Sequence, residues 1–383
     1  VDLTIDPALV GLHDELTSYL DALDGDLVAG TLAEIADDPF RIREHGKALT
    51  RRLGEDGWLG RDWPVEFGGR GGSALEQWIF LEVMSYRRLP AGGLTINSIG
   101  PTLARLGSEE QRRRYLGPIM RGEVFIAVGY TEPDAGTDLA SLRTRAVRDG
   151  DGYVVTGQKL YTTAADVSTH LWLAARTGDP DSRHRGISIF MVPMDTPGIT
   201  VRPIHTQGDE RTNEVFLDSV FVPVDCRIGA ENEGWRAVVI QLNLERLFAH
   251  GDLRRELDDI VDWAVESGRF DDDERLRLDL AQLYADLEVA KVFALRAAWM
   301  LSNGLVPEAE ASMTKVWFSE LRQRVALRCL DLIGPDAQLR GPDATMGGRL
   351  EHLYRASTVL KFAGGTNELQ RDLIAQRALG MPR

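Results

Sequence analysis

Apolar residues recur along this chain at two spacings, and the changes from one to the other divide it into three parts. Over residues 1–124 the spacing is helical: Leu9, Leu12, Leu16, Tyr19, Leu20 and Leu23 fall three and four apart, and Leu75, Ile79, Leu81 and Val83 follow more loosely. Trp63-Pro64 and Gly68-Gly69-Arg70-Gly71-Gly72 punctuate these segments. Ser108 with Gln111 three residues on predicts a capped short helix over 108–120. From about residue 125 the texture changes to short runs rich in β-branched and aromatic residues, at 124–130, 153–156, 170–175, 186–192, 199–203 and 215–222. Turn clusters such as Asp149-Gly150-Asp151-Gly152 and Thr196-Pro197-Gly198 separate them, so a compact β-sandwich or barrel is expected over 125–228. Helical spacing returns for 229–383, with helices expected at 235–267, 273–303, 307–332, 346–361 and 366–379; the first four are long enough for an antiparallel bundle.

Composition narrows the function classes. The chain has 383 residues, enough for two or three packed units. Its 44 Lys plus Arg against 59 Asp plus Glu give a net charge of −15, a field that repels phosphate backbones and anionic lipid, so no nucleic-acid and no membrane partner is expected. No stretch of 18 apolar residues occurs, and Asp2, Asp6, Asp14 and Glu15 give the first twenty residues none of the character of a secretory signal. A cytoplasmic protein is expected. Cys226 and Cys329 alone make neither a disulfide framework nor a metal site, and the His residues show no ligand spacing, so no metal is expected. Gly68–Gly72 lies between helical segments, which rules out a Rossmann fingerprint.

Three strings carry candidate chemistry. Tyr130-Thr131-Glu132-Pro133-Asp134-Ala135-Gly136-Thr137-Asp138 ends the first strand-like run with an irregular backbone that can turn amides and hydroxyls toward a ligand. Gly157-Gln158-Lys159-Leu160-Tyr161-Thr162-Thr163 places an aromatic ring and hydroxyls on another strand end. Gly364-Gly365-Thr366-Asn367-Glu368 opens the last helix, whose unpaired N–H groups favour phosphate. On its own, the first is also compatible with a plain hydrophilic turn.

Together with the helix–strand–helix order, these strings resemble the flavin-dependent acyl-CoA dehydrogenases over essentially the whole chain. The resemblance implies the acyl-CoA dehydrogenase fold: an N-terminal all-α domain (1–124), a central small β-barrel or sandwich domain (125–228) and a C-terminal four-helix bundle (229–383). It implies FAD as cofactor, an acyl-CoA thioester as substrate and electron-transfer flavoprotein as acceptor. Carried over by resemblance, Thr131 contacts the isoalloxazine, and Gly136 and Thr137 approach the pyrophosphate and the CoA. Tyr161 stands where the family usually has Trp against the ring, Thr163 supplies a hydroxyl near flavin N5, and Thr366 and Glu368 touch the cofactor. The backbone amide of Gly364 would polarise the thioester carbonyl.

The reaction needs a carboxylate that removes the proton α to the thioester. Many relatives carry it just before the C-terminal Gly-Thr, where this chain has Gly364; another branch, which includes isovaleryl-CoA dehydrogenase, carries it in a Leu-Glu-Arg-Leu string. Leu244-Glu245-Arg246-Leu247 matches the second pattern. Independently of the resemblance, Trp235, Val238, Leu242, Glu245 and Ala249 are spaced three, four, three and four, so Glu245 interrupts an apolar stripe. Desolvation there favours a base, while pairing with Arg246 would make it a structural ion pair. Arg246 would orient Glu245 in the substrate site or brace the C-terminal loop.

Departures from the family are informative too. Homotetrameric relatives have an Arg-x-x-Phe-Gly string whose Arg reaches a neighbour's FAD; here the region reads Arg269-Phe270-Asp271-Asp272-Asp273-Glu274, and Leu332-Ile333-Gly334-Pro335-Asp336-Ala337 replaces a Gly-Gly-x-Gly loop. This resembles the base-bearing subunit of actinobacterial heterotetrameric dehydrogenases acting on steroid side-chain CoA esters, and implies a second acyl-CoA dehydrogenase-like subunit in an α2β2 assembly. Alternatives are dehydrogenation of a carrier-protein-bound acyl group, oxygen transfer to an amine, and a non-catalytic structural subunit.

Overall fold

The computed structural model describes residues 6–245, 249–341 and 343–382. Helices come first: α1 (Pro7–Asp21), α2 (Gly25–Asp37), α3 (Glu44–Glu55), α4 (Ala74–Tyr86), α5 (Gly100–Leu106) and α6 (Glu109–Met120). α1 buries Leu12, Leu16 and Leu20, one stripe of a 3.6-residue period. Ser108 and Gln111 cap α6 reciprocally, as the sequence predicts, and Ser73 and Glu76 do the same for α4. Thr95–Ile99, just before α5, forms a single π-helical turn, a wide geometry that concentrates at functional sites.

Eight strands follow: β1 (Ile126–Gly129), β2 (Arg145–Asp149), β3 (Gly152–Lys159), β4 (His170–Arg176), β5 (Ile187–Pro193), β6 (Ile199–His205), β7 (Arg211–Pro223) and β8 (Arg227–Ile228). They form one sheet in the order β6-β7-β3-β2-β4-β5-β8, with β1 pairing parallel to β4. The two halves meet at a single β2–β4 pair, Arg145 with Arg176. Tyr153 and Val155 of β3, Leu171 and Leu173 of β4, and Phe190 of β5 share one apolar core, so the halves close over each other. β4 is buried on both faces. Leu171 and Leu173 face that core, and Trp172 and Ala174 join the helical core of α1, α4 and α6. β2 and β8 escape the sequence reading: four of the five β2 residues are exposed, leaving no apolar alternation, and β8 has two residues.

The remaining helices are α7 (Gly234–Glu245), α8 (Gly251–Glu266), α9 (Arg269–Asp272), α10 (Glu274–Ser302), α11 (Glu308–Ile333), α12 (Arg349–Ala356) and α13 (Asn367–Arg377). Leu253 and Leu257 of α8, Leu280 of α10, Phe318 and Leu321 of α11, and Leu353 of α12 pack in one bundle core. Two sequence expectations need correction. The helix expected at 346–361 is α-helical only over α12, because Met346, Gly347 and Gly348 all have positive φ. The helix expected at 235–267 is two helices, and Ala249, counted in the Glu245 stripe, lies outside α7.

The start of α8 has an identifiable cause. α4 crosses so close at Gly251 that a Cβ there would stand 2.3 Å from the Glu82 carbonyl oxygen and 2.4 Å from the Tyr86 nitrogen. α4 also satisfies the first N–H groups of α8: Glu82 Oε2 accepts from His250 N at 2.7 Å and Ser85 Oγ from Asp252 N at 3.0 Å. Gly251→Ala should therefore force the helices apart and cost about 2–3 kcal/mol, read as a lower urea midpoint at unchanged slope.

His250 itself is buried, edge-on to Phe318 with ring centres 4.9 Å apart, and neither ring nitrogen has a hydrogen-bond partner among the described residues. Burial, aided by Lys291 and opposed by Asp252, pushes its imidazole down to about 4. Between that value and the unfolded value of 6.5 the unfolded chain binds the extra proton, so stability falls as pH drops through this window. His250→Phe should remove that slope: from pH 7 to 4.5 the wild type should lose about 2.5 kcal/mol relative to the variant, measured by urea unfolding at both pH values.

Candidate active site

The described part of α7 ends on Glu245, half-buried. One helical turn earlier, the fully buried Gln241 directs its Nε2 to Glu245 Oε2 at 2.9 Å and to Ser98 Oγ in the π-turn at 3.1 Å. Opposite lies the loop before α13. A Cβ built on Gly364 would stand 3.8 Å from Glu245 Oε1, and Gly364 has φ of 66°, where a side chain is strained. The third wall is the end of β1. Tyr130 is buried and its hydroxyl accepts from Trp172 Nε1 at 2.9 Å; burial raises this phenol far above its usual range, the Trp172 bond opposes, and the charge of Glu245 adds to the rise. The carboxylate is thus bracketed by the π-turn, β1 and the 364 loop.

A buried ion pair fixes the rim formed by the ends of β1 and β3. Lys159 Nζ, at 0% side-chain exposure, donates to Glu132 Oε1 at 2.7 Å and to the Tyr130 carbonyl at 3.1 Å. Glu132 also accepts from the backbone N–H of Arg143 and of Thr144. Burial pushes Lys159 down to about 8, still charged at neutral pH. Against the upward push of burial, the Lys159 charge and these bonds hold Glu132 below its usual range. The next segment is held by Asp166, which accepts from Arg41 Nε at 2.6 Å and from Asn213 Nδ2 at 3.3 Å.

On this rim Thr131 is half-buried and its carbonyl accepts from Leu160 N at 2.8 Å. Tyr161 is 61% exposed at φ 54°, and Thr163 is exposed with its Oγ1 3.4 Å from that of Thr212. Gly136 and Thr137 stand in the exposed turn after β1, and a Cβ on Gly136 would meet nothing within 4 Å. Thr366 caps α13 by accepting from Leu369 N at 3.2 Å. Glu368 is exposed, and hydrogen bonds to its own backbone and to Thr366, with Arg371 and Lys315 nearby, keep it a carboxylate. Arg246 lies outside the described residues.

The structure therefore brings Glu245, Gly364 and the Tyr130-Thr131 strand end together. Tyr161, Thr163, Gly136 and Thr137 share the rim beyond, and Thr366 and Glu368 follow Gly364 by two and four residues. An exposed aromatic flanked by hydroxyls, an open glycine turn and a helix N-terminus fit a flavin ring and its diphosphate. The buried Thr162 Oγ1 between Tyr161 and Thr163 has no partner among the described residues. The sequence reading missed Gln241, Ser98, Lys159, Glu132 and Asp166 as site-forming residues.

Comparison with known proteins bears on the family and the fold. The acyl-CoA dehydrogenase N-terminal domain matches residues 25–123, the middle domain 127–220 and the C-terminal domain 232–379. The chain is 41% identical over 348 residues to the acyl-CoA dehydrogenase FadE26 of Mycobacterium tuberculosis, covering 87% of each. Among solved structures it is similar to the Tcur3481-Tcur3483 steroid ACAD, with a TM-score of 0.93 and 37% identity over 100% of both chains. It is also similar to the ChsE4-ChsE5 complex from Mycobacterium tuberculosis, with a TM-score of 0.90 and 38% identity over 100% of both.

Lys159→Met should leave Glu132 as an uncompensated buried charge and cost about 3–5 kcal/mol. Adding Glu132→Gln should recover part of that loss, so a double-mutant cycle of urea unfolding should give a favourable coupling between the two positions.

Proposed function

Because the chain belongs to the acyl-CoA dehydrogenase family of flavin oxidoreductases, we propose that it desaturates the α,β bond of a bulky acyl-CoA thioester, with FAD as its cofactor and Glu245 as its base. The observation that carries the reading is the carboxylate of Glu245 against Gly364. Its Oε1 lies 3.8 Å from where a Cβ on residue 364 would stand, so the two positions line one wall of the site.

Glu245 takes the proton α to the carbonyl. Bound flavin supplies the acceptor for the β-hydrogen, which leaves as hydride. Gln241 holds the carboxylate at a fixed angle, and Gly364 keeps the space in front of it clear for the thioester. Tyr161, Thr163 and Thr131 would hold the flavin ring. The Lys159–Glu132 pair fixes the two strand ends that carry these residues. Gly136, Thr137, Thr366 and Glu368 would hold the rest of the dinucleotide.

Two further features support a partner subunit. Arg269, the cation of the altered Arg-Phe string, is turned inward: it donates to the Leu332 carbonyl at 2.7 Å and to Asp273 at 3.0 Å, over the Trp263 ring. On α10, Leu278, Val289 and Val292 are exposed apolar side chains. Both suit a face completed by a second acyl-CoA dehydrogenase-like chain that brings its own charge to the cofactor, in line with the two-component names of the similar solved structures. The steroid ACAD among the similar solved structures supports a steroid side-chain CoA ester as substrate.

Anaerobic mixing with CoA thioesters of short, long and sterol-derived chains should bleach the flavin of the protein co-purified with its partner, fastest for the sterol-derived ester. Glu245→Gln should retain flavin and slow bleaching by about a thousandfold or more; bleaching near the wild-type rate would reject the base. A homotetramer purified alone with one FAD per chain would reject the partner.

A further inference from the structure

Lysine is costly to bury, yet Lys315 of α11 is fully buried in the C-terminal bundle. Its Nζ donates to the Lys361 carbonyl at 3.2 Å and to Asn367 Oδ1 at 2.6 Å. Those two residues stand three before and three after Gly364. One side chain therefore grips both ends of the loop that lies opposite Glu245.

The middle of this loop needs a grip from outside. Gly364 and Gly365 have φ of 66° and 90°, and without side chains they cannot anchor themselves by packing. Other α11 side chains hold the same two ends. Ser319 Oγ donates to Asn367 Oδ1 at 3.1 Å, Glu320 Oε1 accepts from Asn367 Nδ2 at 3.4 Å, and Gln323 Oε1 accepts from Lys361 Nζ. From α13, Gln370 Nε2 donates to the Gly364 carbonyl at 3.2 Å. Residue 364 is thus placed by α11 and α13, while the carboxylate opposite is placed by α7.

Stability alone does not account for a lysine here. Apolar residues of similar volume often replace buried charged groups at no cost or with a gain. The place also suits a cation poorly, because it adjoins the start of α13, where the helix dipole is positive; the lysine's charge is felt at Glu368 in the first turn. What an apolar residue lacks is the capacity to fix two acceptors, six residues apart, with charge-assisted hydrogen bonds.

We propose that Lys315 is a positioning residue for the dehydrogenation: it holds the loop so that the Gly364 N–H meets the thioester carbonyl while Glu245 faces the α-carbon. The inference rests on the proposed reading, with Glu245 as the base and the Gly364 N–H as the donor to the carbonyl. It adds the side chain that fixes one against the other. Lys315 exchanges no atom with the substrate.

The test uses the flavin-loaded protein with its partner. Lys315→Met removes the donor, and a double variant adds Asn367→Leu so that the amide it served is replaced by an apolar group. In anaerobic mixing with a CoA thioester, the limiting rate of flavin reduction should fall about a hundredfold in both, with little change in thioester Kd, because a displaced donor loses its effect on the transition state. In a Glu245→Gln background, where the thioester stays unconverted, the infrared stretch of its isotope-labelled carbonyl should rise when Lys315→Met is added, because the C=O bond has lost a hydrogen bond. An unchanged rate, or a rate that falls while the carbonyl stretch stays, would overturn the positioning role and leave the base standing. Undiminished reduction in Glu245→Gln would instead overturn the reading on which the inference rests. If Lys315→Met does not fold, the double variant carries both arms, and an unchanged rate or stretch there would overturn the proposal.

Discussion

A carboxylate delivered from one helix and a side chain at residue 364 compete for the same space, and the candidate site depends on how that competition is resolved. With Glu245 Oε1 3.8 Å from where a Cβ of residue 364 would lie, a longer side chain directed that way would meet the carboxylate. Glycine removes the competitor. It also suits the backbone, since Gly364 and Gly365 both have φ in the left-handed region, at 66° and 90°, where other residues are strained. The carboxylate on α7 and the glycine at 364 are therefore one choice written at two places in the chain. The crossing of α4 over Gly251 makes the choice geometrically firm, because it starts α8 close after the carboxylate and ties that start to the N-terminal helices.

The β-sheet contributes position in a different currency. A buried Lys159–Glu132 pair is weak evidence for stability, because desolvating two charges cancels much of their attraction. Its partners indicate what it does. The ammonium reaches the last carbonyl before Thr131, and the carboxylate gathers the amides of Arg143 and Thr144, eleven and twelve residues on. One pair thus gathers the end of β1, the end of β3 and the turn between β1 and β2, which carry Thr131, Tyr161, Gly136 and Thr137. Apolar residues could fill that volume, but they could not satisfy three backbone groups at once.

What the sequence discloses follows from how local each signal is. The strands with β-branched residues on a buried face, such as β4 and β5, show in the composition of a few neighbours. β2 does not, because its partners and not its own residues make it a strand. The capping box at Ser108 is contained in four residues and is legible. The start of α8 is not, because it depends on α4 more than 150 residues earlier. Glu245 stands out as a charge on an apolar stripe, but Gln241 lies on the same face, three after Val238 and four before Glu245, and a search for apolar positions passes over it. The Lys159–Glu132 pair joins residues 27 apart through strand pairing, which no periodicity encodes.

The treatment of charge around the cofactor path leads to a linkage. With a net charge of −15 and acids at 271–274, this chain does not draw a diphosphate toward α9, and Arg269 is committed to its own α11 carbonyl and Asp273. Under the proposed assembly, the missing cation comes from the second chain. A ligand that touches both subunits then binds the pair better than either alone, and by reciprocity the pair holds together better when the ligand is present. Cofactor loading and subunit association become one equilibrium. A subunit that kept the base but gave up the outer half of its flavin site would thus be inactive until it met the partner that restores the charge.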